Sequence, residues 1–253
     1  MFVYGYYTTK GRIKKVNQDA LLIMELETAR GPALFAAICD GMGGLADGEI
    51  ASALVIRELE AYVRETLPDT RMTINAFRDG MEEVVARSAK AVSDYAGAGR
   101  ECGTTLLATL FTEGKWYTVN VGDTRFYTLS PKIVQVTKDQ TYVQREMDAG
   151  RMTKEEAATH RMRSILLQCI GASDVIVPDW YDGRYHDGDA FMLCSDGFRH
   201  VYNNRRLGQV FTPQALAGEK AIAELIEHVA AESMESGERD NITAIAIRVT
   251  GDR

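Results

Sequence analysis

The chain has 253 residues, 45% of them apolar, 26% charged and 8% aromatic. That is a globular profile, which excludes a disordered, collagen-like or low-complexity chain. A formal net charge of −7 argues against a general affinity for nucleic acid or an anionic membrane, and no apolar run approaches the ~18–20 residues needed to span a bilayer. The opening residues Met1-Phe2-Val3-Tyr4-Gly5-Tyr6 lack the charged leader and apolar stretch of a signal peptide. Cys39, Cys102, Cys169 and Cys194 are scattered without a CxxC pair. A reduced, cytoplasmic protein is therefore expected.

In chain order, residues 2–8, 20–25 and 33–39 read as three strands, the third a continuous apolar run. A helical zone follows. Ala51, Val55, Leu59 and Tyr62 recur at helical spacing until Leu67-Pro68-Asp69 ends that helix. Ile74, Phe77, Met81, Val84 and Ser88 make the face of a second helix. Strands are expected at 103–112, 116–121, 125–129 and 133–137, joined by short turns as in an antiparallel meander. Residues 142–171 are polar, rich in Arg, Glu and Met, and weakly periodic; they read as a helical insertion over the surface. Strands at 174–180 and 190–194, a helix at 221–233 with Ile222, Leu225, Ile226 and Val229 inward, and an alternating strand at 241–249 complete the chain. No linker or internal repeat divides it. The expected class is α+β: one domain over 1–253, with two packed antiparallel sheets flanked by helices.

Four aspartates carry the chemistry. Asp40 follows the apolar run 33–39 and precedes Gly41-Met42-Gly43-Gly44, Asp196 follows 190–194 through Ser195, Asp123 follows 116–121 through Gly122, and Asp240 precedes the final strand. If that strand runs antiparallel to those of Asp40 and Asp196, three or four carboxylates meet at one edge. Converging carboxylates stay ionised only around a cation. Oxygen donors without a His or Cys cluster select Mg²⁺ or Mn²⁺ over Zn²⁺.

Other readings stand beside this one. An isolated Asp-Gly is ordinarily a turn, the reading given to Asp47-Gly48, Asp79-Gly80, Asp182-Gly183 and Asp187-Gly188. Gly41-Met42-Gly43-Gly44-Leu45-Ala46 has the glycine spacing of a dinucleotide fingerprint. Against that stand a second helix where a strand is needed, Glu58 and Glu60 inside a helix, and Asp40 placed beside the pyrophosphate. Ser195 lacks the first glycine of a nucleophile elbow. His160, His186, His200 and His228 show no ligand spacing, and solvated or capping roles are expected for them.

Six motifs occur in order: Gly11-Arg12-Ile13-Lys14-Lys15-Val16-Asn17-Gln18-Asp19, Cys39-Asp40-Gly41-Met42-Gly43-Gly44, Gly103-Thr104-Thr105, Val121-Gly122-Asp123-Thr124-Arg125, Leu193-Cys194-Ser195-Asp196-Gly197 and Asp240-Asn241-Ile242-Thr243. Together they resemble the metal-dependent protein phosphatases of the type-2C serine/threonine class, in their compact bacterial form, from Tyr6 to Val249. The resemblance implies a four-layer β-sandwich with two Mn²⁺ or Mg²⁺ ions at one sheet edge. By that analogy Asp40 bridges both ions, Gly41 adds its carbonyl, Asp196 and Asp240 ligate the first ion, and Asp19 accepts from metal-bound water. Asp123 with Asp196 resembles a third metal position. Residues 142–171 look like the family's flap.

The implied chemistry is hydrolysis of phosphoserine and phosphothreonine monoesters by a metal-bridging hydroxide, opposing a bacterial Ser/Thr kinase. Phosphorylated proteins are the implied partners, with no nucleic acid and no membrane, and the chain is expected to be a monomer. The sequence departs from the family pattern at several places. Lys14 stands where an Arg usually grips the phosphate, and it supplies one compact charge in place of a planar fork. Ser164 and Gln168 replace Asn and Arg in the flap, Leu45 replaces a His, and Met42 leaves leaving-group protonation to metal-bound water. Lys14 and the flap changes at Ser164 and Gln168 support the alternative, a weak or inactive phosphatase-fold module that binds phosphoproteins. Retention of Asp40, Asp123, Asp196 and Asp240 opposes it.

Overall fold

The computed structural model describes residues 1–42, 47–70, 72–97, 102–130 and 132–251. Among the described residues ten strands form two five-stranded antiparallel sheets. β1 (Phe2–Thr9), β10 (Ile242–Val249), β9 (Ala190–Cys194), β6 (Arg125–Thr128) and β7 (Val134–Gln135) make one, in that order. β2 (Asp19–Thr28), β3 (Gly31–Asp40), β4 (Leu106–Thr112), β5 (Lys115–Val121) and β8 (Asp179–Arg184) make the other. The expected α+β sandwich is the fold observed.

The side-chain pattern explains the layers. Along β3, Leu34, Ala36 and Ile38 point into the space between the sheets, where they join Phe111, Phe126, Phe191 and Ile245. Ala33, Phe35, Ala37 and Cys39 point the other way, onto α1 (Gly48–Glu65) and α2 (Ile74–Ala96). A strand covered on both faces reads as a continuous apolar run because successive side chains alternate faces. β10 solves the same problem by size. Ile245 and Ile247 fill the inter-sheet layer, whereas Ala244 and Ala246 lie under α7 (Glu219–Glu235). Over 244–247 the alternation is thus of large against small, with both faces buried. Phe126 and Phe191 stack at 5.7 Å between centroids in the middle layer, and burying each such ring contributes roughly 2–3 kcal/mol.

The structure corrects several sequence expectations. The meander does not exist as one unit, because the chain changes sheets between β5 and β6 at Gly122, whose φ is +108°. Residues 103–105 precede β4 rather than belong to it, and β7 has two residues. The strand expected at 174–180 begins at Asp179 and runs to Arg184, pairing with β5. Val175 and Val177, inside the expected strand but before the observed one, are exposed. Asp182-Gly183 is therefore inside β8 and Asp79-Gly80 inside α2, not in turns. Each of these glycines permits a close approach: a Cβ on Gly80 would sit 2.5 Å from the Tyr62 hydroxyl, and one on Gly183 would sit 2.3 Å from the Trp116 ring. Asp187-Gly188 is a turn, as expected.

The 142–171 insertion contains two short helices, α3 (Tyr142–Asp148) and α4 (Lys154–Thr159), followed by irregular chain. It is tied back to the body by Tyr142 N–H to Ile165 O at 2.8 Å, Leu167 N–H to Gln140 O at 2.8 Å and paired bonds between Thr104 and Ile170. Two helices went unforeseen, α5 (Asp196–Arg199) and α6 (Asn204–Val210). Both are too short to show a period. Cys39, Cys102, Cys169 and Cys194 are all buried thiols. Among the described residues no helix is long and apolar enough to cross a membrane.

Candidate functional site

Antiparallel pairing gathers the aspartates. In the β2–β3 ladder Asp19 faces Asp40 across the last rung. In the other sheet Ala244 of β10 faces Cys194 of β9, so the chain just before β10 and just after β9 shares one end. Asp40, Asp123, Asp196 and Asp240 all line a cavity of about 610 Å³ at this edge, with Lys14, Gly41, Met42 and Thr105. Residues 164–169 of the insertion form its far wall. Asp19 is not in the lining; it lies buried behind it.

Each acid is held by a local device. The Asp40 backbone is clamped to Thr105, donating N–H to Oγ1 at 2.9 Å and accepting from the Thr105 N–H at 2.9 Å. Gly41 N–H donates to Gln18 O at 3.0 Å. A Cβ at Gly41 would lie 2.3 Å from Gly48 O and 2.6 Å from Gln18 O, so no other residue fits between those carbonyls. Ser195 Oγ donates to Asp19 Oδ2 at 3.0 Å and accepts the Thr243 N–H at 3.0 Å. It is a buried strut between the sheets, which agrees with rejecting it as a nucleophile. Glu238 Oε1 accepts the backbone N–H of Arg239 and of Asp240, at 2.7 and 2.9 Å.

Asn241 ties this edge to the loop carrying Lys14. Its Nδ2 donates to Lys10 O at 3.0 Å and Val16 O at 3.1 Å, and its Oδ1 accepts the Gln18 N–H at 3.0 Å. Lys14 Nζ then lies 2.7 Å from Asp240 Oδ1. Burial opposes its charge, but the hydrogen bond and charge of Asp240, with Asp40 and Asp196 beyond, hold its pKa above the usual lysine value.

The electrostatics describe a site short of positive charge. Burial first, then Asp19, Asp196, Asp123 and Asp240, push the Asp40 carboxyl well above its ordinary range. Asp19 is pushed up to about 7 by burial, aided by Asp196 and Asp240 and opposed by hydrogen bonds from Thr243 and Ser195. Asp123 also reaches about 7, through burial and Asp196, against the pull of Arg199. Asp19 Oδ1 is buried without a hydrogen-bond partner. Among the described residues no three His, Cys, Asp or Glu side chains are drawn together as a finished ligand shell. The rim acids turn instead toward protein cations: Asp240 to Lys14, Asp196 Oδ2 to His200 Nε2 at 3.4 Å, and Asp123 Oδ2 to Arg199 at 3.0 Å. Hard oxygen donors, an acid raised by four other acids and an orphaned carboxylate oxygen fit a hard divalent cation at Asp40.

Sequence reading missed several supporting residues. His200, expected to be solvated or capping, is held between Asp196 and Glu238, its Nδ1 lying 3.0 Å from Glu238 Oε2. Burial works against its charge, yet Glu238 and Asp196 raise its pKa. Arg125, Asp139 and Arg199 are likewise withdrawn at the rim; they lie in β6, a loop and the four-residue α5, far apart in the chain, so they give no periodic signal. Gln168 lines the cavity, but its amide is turned to the backbone of Val177, donating to O and accepting from N–H, both at 2.7 Å. The reading of Gly43-Gly44-Leu45-Ala46, including the absent His at Leu45, lies outside the described residues.

The protein phosphatase 2C family model matches residues 9–235. The chain belongs to the protein phosphatase 2C family. Asp240 lies beyond the matched stretch, but a relative aligns across it: the serine/threonine protein phosphatase PstP of Mycobacterium tuberculosis is 30% identical over 250 residues, 97% of this chain. The chain spans 45% of that relative's length. In structure it is similar to the serine/threonine phosphatase of S. agalactiae, with a TM-score of 0.84, 25% identity, and 98% of this chain and 100% of that one covered. The catalytic domain of PstP in complex with two manganese ions is similar at a TM-score of 0.79 and 27% identity, with 99% of this chain and 100% of that one covered. The family's fold accounts for the whole sandwich, both sheets and their helices.

Proposed function

We propose that this chain is a metal-dependent phosphatase of phosphoserine and phosphothreonine in proteins, built as one catalytic domain over 1–253 and acting as a cytoplasmic monomer against a Ser/Thr kinase. The observation that carries this reading is the meeting of Asp40, Gly41, Asp196 and Asp240 at one sandwich edge, on a cavity that also holds Lys14. Asp40, the Gly41 carbonyl, Asp196 and Asp240 would hold two Mn²⁺ or Mg²⁺ ions, both of which accept such oxygen donors. When bound, such ions make a water nucleophilic near neutral pH and offset charge on the phosphoryl oxygens.

The chain's own residues do the rest. Lys14 sits on the cavity wall, where its ammonium can leave Asp240 and meet a phosphoryl oxygen as a point charge. Asp19, buried behind Asp40 with a free Oδ1, is placed to accept a proton-bearing ligand from the site. Asn241 keeps the Lys14 loop in register with Asp240. Residues 142–171 act as the flap, with 164–169 on the cavity wall, closing that side and limiting water around the phosphate.

The test is hydrolysis of p-nitrophenyl phosphate and of a phosphothreonine peptide, with and without Mn²⁺, by wild type and Asp196→Asn. Metal-dependent turnover of both substrates, lost in the variant, is expected. Mn²⁺ binding without turnover would favour a phosphoprotein-binding module instead.

A further inference from the structure

Asp123 already has a cation. Arg199 follows Asp196 by three residues in α5, and its Nη2 donates to Asp123 Oδ2 at 3.0 Å and reaches the Asp123 main-chain oxygen at 3.4 Å. Asp139 Oδ2 stands 3.5 Å from the same nitrogen. Asp139 is in turn gripped by Arg125 through two parallel bonds, Nε to Oδ1 at 2.7 Å and Nη2 to Oδ2 at 2.6 Å. Arg125 also donates to the Tyr127 hydroxyl at 3.1 Å. The side chains of Asp123 and Asp139 are each 9% exposed, and that of Arg199 is 12% exposed. Two acids and two guanidiniums thus form a largely buried chain running from the cavity rim into β6, where the Arg125 side chain is 20% exposed.

This arrangement does not fit a metal ion on Asp123. A guanidinium keeps its charge at any pH a folded protein survives, so it cannot give way by losing a proton. A divalent ion on Asp123 and Asp196 would share Asp123 with a fixed cation where water screens poorly. Swinging Arg199 aside is no easier. It would strip Asp123 and Asp139 of a partner inside the protein and leave a charged group whose Nε is already without one.

We propose that Arg199 is the resident cation of Asp123 and stands in place of a third metal ion, so that this chain completes its site with two. Arg199 is a positioning residue. It ties the turn bearing Asp196 to the β5–β6 connection, and holds Asp123 as a structural acid instead of a ligand. The inference rests on the two-ion reading above, and the test separates the two.

The experiment counts Mn²⁺ bound to the folded protein by native mass spectrometry and calorimetry, independently of turnover. Wild type and Arg199→Lys, which keeps the charge, are expected to bind two ions. Arg199→Met is expected to bind a third, at least about tenfold more tightly than wild type binds any further ion, a difference of ~1.4 kcal/mol. That third ion should vanish in Arg199→Met/Asp123→Asn. Three ions in wild type, one of them lost in Asp123→Asn, would overturn the inference and leave the two-ion reading intact. So would a folded Arg199→Met that still binds two. No ion in wild type would overturn both. If Arg199→Met does not fold, the wild-type and Arg199→Lys counts decide alone.

Discussion

Lys14 Nζ and Asp240 Oδ1 stand 2.7 Å apart, with the Lys14 side chain 30% exposed. The residue read as the phosphate anchor therefore rests on a residue read as a metal ligand. On the proposed function, binding a cation at Asp240 and freeing Lys14 for phosphate would be one event, since the ion would displace the ammonium from the carboxylate oxygen it meets.

From this follows opposite behaviour in two measurements on Lys14→Met. Removing the competing ammonium should tighten Mn²⁺ binding severalfold by calorimetry. Removing a charge-assisted contact of about 1.5 kcal/mol should raise KM for a phosphopeptide roughly tenfold. Lys14→Arg, with its planar fork, should lower KM. An unchanged KM in both variants would remove Lys14 from phosphate binding.

The stability of the metal-free protein should fall as pH rises from 6 to 8. Asp19 and Asp123 are held at about 7 in the fold, above the unfolded carboxylate range. The native state therefore binds more protons than the unfolded state in this window, and stability drops as they leave. His200, also raised, contributes with the same sign. Mn²⁺ should reverse the trend, since it binds the deprotonated carboxylates. Melting temperatures at pH 6 and 8, with chelator or with metal, check this; a flat metal-free profile would count against the raised values.

Gly41→Ala should destabilise the fold by about 2–3 kcal/mol through overpacking and weaken metal binding as well. The added methyl meets two backbone carbonyls, Gly48 O and Gln18 O, which cannot rotate away as a side chain would. Denaturant unfolding measures the first effect and calorimetry the second. An active, fully stable variant would show that the β3 end can move.

Asp139→Asn should cost about 3–5 kcal/mol, because it leaves Arg125 and Arg199 buried with uncompensated charge. Lys90→Ala, which breaks an exposed pair with Asp94 at 2.6 Å, should cost no more than about 0.5 kcal/mol. Denaturation midpoints of the two variants should differ accordingly. Equal losses would mean that the rim quartet is no stronger than a surface pair.

The covered strands and the helix faces were legible because burial imposes a period. Residues 33–39, 190–194 and the Phe77-Met81-Val84-Ser88 face lie where their spacing put them. The start of β8 was not legible. Val175 and Val177 carry strand propensity, yet pairing with β5 began only at Asp179, since a strand exists where a neighbour supplies its hydrogen bonds. Likewise Asp182-Gly183 and Asp79-Gly80 have turn composition, but tertiary neighbours that need a missing side chain overrode it.

At the site the division is similar. Asp40, Asp123, Asp196 and Asp240 were identifiable from sequence because each lies at or beside a strand end. That they share one cavity is a matter of antiparallel register, and the rung joining Asp19 to Asp40 was not visible in either segment alone. By itself the sequence determined which residues are apolar enough to make strands and helices, and which acids those elements carry at their ends, because these are properties of neighbours along the chain. Only the tertiary structure decided which cation each acid meets. Lys14 reaches Asp240 and Arg199 reaches Asp123 across 226 and 76 residues. Electrostatic partnership depends on distance and burial, which the fold alone sets.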